Sequence, residues 1–155
     1  MAANKQRIDA ITDRILEAAL GTETMKKVAQ QAAERVRTRT RVGKGVDSPG
    51  KSAKPLPKLK ESTVARRKRD QKTGNLTGPG ARPARSSLTR TGDMLDAITP
   101  KWAEGKAEVV IEGAEENRKA REVQDLGFTF MNLSRGELDG LARIIKEEVR
   151  KKLKT

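Results

Sequence analysis

Between Ile8 and Val36 one apolar stripe runs without a slip: Ile8, Ile11, Ile15, Ala18, Thr22, Met25, Ala29, Ala32 and Val36. The steps alternate between three and four, and Thr22 is the only polar member. That spacing keeps one narrow face of a helix apolar for about eight turns. Gly21-Thr22 lies near the middle, where such a helix bends or divides in two. The small residues Ala18, Ala29 and Ala32 permit close approach. The face therefore suits packing on the domain's own sheet, lining of a subunit contact, or both.

A second stripe, Leu138, Leu141, Ala142, Ile145, Val149 and Leu153, predicts a closing helix. Ser134 and Glu137 have capping-box spacing at its start, with Leu133 and Leu138 as the hydrophobic staple. Lys146, Arg150, Lys151, Lys152 and Lys154 stand at its electronegative end, where cations favour the helix. They read as part of a docked helix, not as a tail seeking nucleic acid.

Between the stripes the period shortens. Lys101-Trp102-Ala103 and Lys106–Glu112 flank Glu104-Gly105, a two-residue turn, which predicts a hairpin with Trp102 opposite Ala107 and Lys101 opposite Glu108. Ala107, Val109 and Ile111 then alternate inward. Leu88–Ile98 reads as a short helix capped by Thr91, with Asp93 in its first turn, buried by Met94, Leu95 and Ile98 and stopped by Pro100. Glu115–Val123 reads as a charged helix or turn, and residues 127–131 as a short strand or extended segment. These elements predict an α+β fold: a small antiparallel sheet packed by long N-terminal and C-terminal amphipathic helices.

Charge changes that picture in one place. Residues 37–90 hold 16 of the 34 Lys+Arg and only Asp47, Glu61 and Asp70 as acids, so they carry the whole net charge of +13. Five of the six prolines lie there too. Val, Ile, Leu and Phe number seven in these 54 residues against 23 in the other 101, too few for a core of their own. The single domain 1–155 thus divides into an N-terminal helix (1–36), a basic extended arm (37–90), and a hairpin with C-terminal helix (91–155). Gly43, Gly45, Pro49, Gly50 and Pro55-Leu56-Pro57 exclude a continuous helix through the first half of the arm. A short helix is expected over Glu61–Asp70, with Ser62 or Thr63 as cap. Its cluster Arg66, Arg67, Lys68 and Arg69 would point in all directions.

With no cysteine and no histidine, disulfides and Ser-His or Cys-His catalysis are excluded. No apolar run approaches the roughly 18 residues of a membrane span, and the polar first ten residues have no signal-peptide core. The chain reads as intracellular in origin. Gly43-Lys44-Gly45 lacks the flanking residues of a phosphate loop. Asp93 or Asp96 with Glu104 and Lys106 has the make-up of a metal-dependent nuclease triad, but Glu104 and Lys106 equally suit a solvated hairpin turn. No cofactor or metal site is expected. The basic arm suits three roles: a solvated linker, a sequence-blind contact with nucleic-acid phosphates, or a segment that docks in acidic grooves of neighbouring subunits. Its lack of aromatics removes any stacking platform for single strands.

The order of segments adds a resemblance. The chain has Pro57-Lys-Leu59-Lys-Glu-Ser-Thr63 before a basic run, then Leu88-Thr-Arg-Thr-Gly92-Asp-Met-Leu95-Asp-Ala-Ile98 before the hairpin. Ala120-Arg-Glu-Val-Gln124-Asp-Leu-Gly127 follows it, and Phe128-Thr-Phe130-Met-Asn-Leu133-Ser134 opens the last helix. In this order they resemble the tail-completion and virion-morphogenesis proteins of tailed bacteriophages. Val123 stands where that family often has His, and Phe128-Thr-Phe130 lacks its Arg-Pro.

The resemblance implies a non-enzymatic structural protein of the virion neck, made in the host bacterial cytoplasm. It implies a homo-hexameric ring, or one of twelve subunits. The ring would sit between a portal-side adaptor or stopper protein and the tail tube or its terminator protein, with no membrane involved. Double-stranded DNA is a further expected contact. The arm residues expected to make these contacts are Arg37, Arg39, Arg41, Lys44, Lys58, Lys60, Arg66, Arg67, Lys68, Arg69, Arg82 and Arg85. From a different class, a sequence-independent nucleic-acid-binding accessory protein is the alternative.

Overall fold

The computed structural model describes residues 2–75 and 93–154, with side chains from residue 11 onward. The long N-terminal stripe divides where the glycine predicts. Helix α1 (Ala2–Leu20) ends and helix α2 (Thr22–Arg41) begins across Gly21, whose ψ of 152° turns the backbone out of helical geometry. A Cβ on Gly21 would lie 2.4 Å from the Glu17 carbonyl oxygen, so only glycine fits this corner. Thr24 Oγ1 donates to the Ala18 carbonyl at 2.7 Å and satisfies one of the carbonyls orphaned at the end of α1.

Helix α2 is the spine. It buries Met25, Val28, Ala29, Ala32, Ala33 and Val36 on the face the stripe marks. Against it lies the hairpin of β3 (Ile98–Ala103) and β4 (Lys106–Ile111), whose register pairs Trp102 with Ala107 and Lys101 with Glu108, as predicted. The ion pairs are distributed differently: Lys101 reaches Glu112 at 3.4 Å and Lys106 reaches Glu108 at 2.9 Å. Gly105, with φ of 68°, makes the turn, and its N–H donates to the Leu20 carbonyl at 2.7 Å. The hairpin tip is thereby fixed to the corner between α1 and α2.

The short helix expected over Leu88–Ile98 is limited, within the described residues, to the single turn α4 (Asp93–Asp96), which buries Met94 and Leu95. Thr91 lies outside those residues. Ile98 belongs to the strand instead, and Pro100 stands within it opposite Val109. The proline disfavours helical geometry at Thr99, and a two-stranded ribbon tolerates a residue without an N–H.

Helix α5 (Ala114–Asp125) follows Gly113 and buries Ala120. Residues 127–131 form no strand. They run as a loop that carries Phe130, fully buried, into the core with Val36, Leu95 and Ile98. The closing helix α6 (Arg135–Lys154) starts with the predicted capping box. Ser134 N–H donates to Glu137 Oε2 at 2.6 Å, and Glu137 N–H to Ser134 Oγ at 3.3 Å. Its buried face is rotated from the expected one. Leu141 is buried and Ile144, Ile145 and Val149 are half-buried, while Leu138, Ala142 and Leu153 are exposed. Leu141, Ile144 and Ile145 pack with Met25, Val28 and Ala32, and Val109 and Leu133 join this cluster to the one around Phe130. No helix among the described residues is long and apolar enough to cross a membrane.

Candidate functional site

The basic segment is not one arm. Its first third belongs to the body. Helix α2 continues to Arg41, five residues beyond the predicted boundary at residue 36, and the chain then folds back through β1 (Lys44–Gly45) and β2 (Lys54–Pro55), an antiparallel pair. Val46 is fully buried and Leu56 nearly so. Val46 N–H donates to the Thr129 carbonyl at 3.0 Å, Gly50 N–H to that of Leu133 at 2.9 Å, and Arg135 N–H to that of Lys51 at 3.2 Å. Asn132 Nδ2 donates to the carbonyls of Val46 and Asp47, each at 3.0 Å. Residues 43–56 are thus a strap sewn onto the loop before α6.

Three of the expected contact residues have partners within this body. Arg39 is buried and donates to the Glu137 carboxylate and to the Phe130 carbonyl. Burial lowers its pKa, and the charge and hydrogen bond of Glu137 oppose that shift. Arg37 donates to the Ile98 carbonyl and lies 3.5 Å from Glu34. Arg41 pairs with Asp96 at 2.6 Å on the surface. Arg39 is therefore corrected from a partner-contacting residue to a structural one. Lys44 is exposed on β1.

Beyond Pro57 the character changes. Lys58 and Lys60 are exposed, and Lys60 is the N-cap of helix α3 (Glu61–Lys72), so Ser62 and Thr63 fall inside the first turn, not at the cap. No residue of α3 is buried. Arg66, Lys68 and Arg69 are exposed, and Arg67 is half-buried. Four consecutive residues at 100° per residue cover most of the circumference, so this cluster projects outward on several sides at once. The six residues Lys58, Lys60 and Arg66 to Arg69 are what the fold brings together of the expected set. Arg82 and Arg85 lie outside the described residues.

Two features escape a reading of sequence alone. Asp47, one of the few acids of the segment, accepts from Lys54 Nζ at 2.5 Å and from Thr129 Oγ1 at 3.0 Å. Those hydrogen bonds hold its carboxyl below the usual carboxylate range. The pairing closes the strap, and its only signal in the sequence is an acid isolated among bases. The second is Leu126, directly after α5, an apolar side chain that is 73% exposed. No family model, curated protein or solved structure matches this chain.

Among the described residues no group of three or more Asp or Glu is placed to hold a metal ion. Asp96 and Glu104, weighed as parts of a nuclease triad, stand at opposite ends of β3, and Asp96 is paired with Arg41. Six residues of strand separate them by roughly 20 Å.

Proposed function

We propose that this chain is a non-enzymatic structural protein of a bacteriophage neck, which forms a ring between the portal-side connector and the tail. The order of segments that resembles tail-completion proteins motivates the reading. The observation that carries it is α3: a cationic helix with no fully buried residue, joined to a well-packed body through residues 57–60. An isolated helix of this length is marginal in water, so an occupant that pairs with it supplies the missing stabilisation. A ring of subunits sets many such helices around one annulus and multiplies their attraction for acidic neighbours or DNA phosphates.

The second reading, a sequence-independent nucleic-acid-binding accessory protein, draws on the same exposed Arg66, Lys68 and Arg69. Native mass spectrometry separates the two. A discrete hexamer or dodecamer, alone or with a portal-side protein, supports the neck role. A monomer whose duplex binding falls steeply with salt supports the accessory role instead. In phage particles, replacement of Arg66, Arg67, Lys68 and Arg69 by Ser is expected to abolish joining of heads to tails. Normal yields of complete particles would remove the cluster from the mechanism.

A further inference from the structure

Helix α3 does not stand clear of the body on all sides. Between its inner flank and the end of α5 runs a cleft of about 590 Å³. Its apolar wall comes from Leu59, Leu126 and Phe128, and its rim from Lys58, Lys60 and Arg66. Leu59 and Phe128 are half-buried, whereas Leu126 is 73% exposed. From Lys58 to Lys72 seven basic residues face two acids, Glu61 and Asp70.

Phosphates alone give such a site no reason to be apolar. A duplex backbone is satisfied by cations and gains nothing from Leu126 and Phe128. A short peptide that carries both a bulky apolar side chain and several carboxylates uses every part of it. The side chain covers Leu126, and the carboxylates meet the Lys and Arg rim in charge-assisted hydrogen bonds. From this complementarity we infer that the cleft between α3 and α5 is a docking groove for an acidic, apolar-anchored peptide segment of a partner protein. The groove is a property of one subunit and does not depend on the ring proposed above. Occupancy also adds apolar contact to a helix that has no fully buried residue of its own.

Selection from a random twelve-residue peptide display library against the purified full chain tests the inference directly. The expected consensus joins Leu, Phe or Trp to two or more Asp or Glu. The selected peptide, synthesised and labelled, should bind Leu126→Ser about ten- to a hundredfold more weakly than the original chain. Lys58→Ser with Arg66→Ser should weaken it comparably at low salt, while far-UV circular dichroism of Leu126→Ser stays unchanged. A polyglutamate of equal charge should bind poorly and be indifferent to Leu126→Ser. The inference is overturned if no consensus emerges or if the consensus lacks acids. It is equally overturned if Leu126→Ser binds as the original does, or if polyglutamate or a short duplex competes as well as the selected peptide. These outcomes leave ring formation untouched, so failure here is distinct from failure of the neck role.

Discussion

Arg39 on α2 and Glu137 on α6, 98 residues apart in the chain, form an ion pair whose side chains are only 7% and 13% exposed. Each also holds backbone: Arg39 the Phe130 carbonyl, Glu137 the Ser134 N–H. The pair therefore joins the spine helix, the core loop and the cap of the closing helix at one point. Removal of one buried partner leaves the other charge and a carbonyl without compensation. Arg39→Ala is expected to cost about 3–5 kcal/mol in urea unfolding. The double change Arg39→Met with Glu137→Gln, which removes both charges and keeps a capping group, should recover more than half of that loss. A double-mutant cycle that showed strict additivity would refute the coupling.

Gly45 and Gly136 should respond to alanine with opposite signs. A Cβ at Gly45 would sit 2.1 Å from the Thr129 carbonyl oxygen and 2.6 Å from Leu56 Cδ2, so the strap must lift. We expect a loss of about 1–3 kcal/mol, with faster amide exchange at Val46 and Leu56. Gly136, in the first turn of α6, has open space around it, and alanine there should stabilise by about 0.5–1 kcal/mol. Chemical unfolding of the two variants measures both.

Stability should be nearly flat from about pH 5 to 9, because no histidine, cysteine or tyrosine is present to titrate. The carboxyls of Asp47, Glu115 and Glu148 are all held below their ordinary values, by Lys54, Lys119 and Lys27 respectively as the leading partners. A carboxyl depressed in the folded state contributes stability above its unfolded pKa, and that contribution disappears as pH falls through the folded value. The loss should begin near pH 4 and deepen below it. Lys119 is shifted the other way, upward, by Glu115 and Glu116. Its contribution is complete below the ordinary lysine pKa and is lost only in strong alkali. Thermal midpoints measured across pH 2–10 check the shape.

Replacement of Arg66, Lys68 and Arg69 by Ser, with the half-buried Arg67 left in place, should change global stability by less than about 0.5 kcal/mol, since all three side chains are exposed. The same variant should lose partner or duplex binding. A large drop in the unfolding midpoint would show instead that α3 is integral to the body.

Local rules carried several elements into the structure. The hairpin register follows from Glu104-Gly105 and the alternation beside it, the cap of α6 from Ser134 and Glu137, and the corner at residue 21 from its glycine. The errors have a common cause, which is distant partners. Arg39 looks like any member of an Arg-Thr repeat until Glu137 and Phe130 close on it. Val46 and Leu56 look like strays in a polar linker until the loop at Thr129 gives them cover. On α6, positions 138 and 142 compete with 144 for the inner face, and the pairing of Glu137 inward rotates the helix toward the latter. For the basic cluster the sequence shows charge, and only the fold shows that Leu126 stands beside it.

The contacts between the first two helices and the last run in reverse order. Arg14 donates to the Lys152 carbonyl, Glu17 accepts from Lys152, Lys27 meets Glu148, and Arg35 donates to the Glu137 carbonyl. The seam is antiparallel and joins residues 14–35 to residues 137–152. A ribosome that has delivered the spine and the hairpin still withholds α6, so Met25, Val28 and Ala32 have only Ala107 and Val109 beside them until Leu133, Leu141, Ile144 and Ile145 arrive. Completion of the body therefore waits for α6 to emerge, and a nascent polypeptide stalled before it would present a sticky helix in place of a finished body.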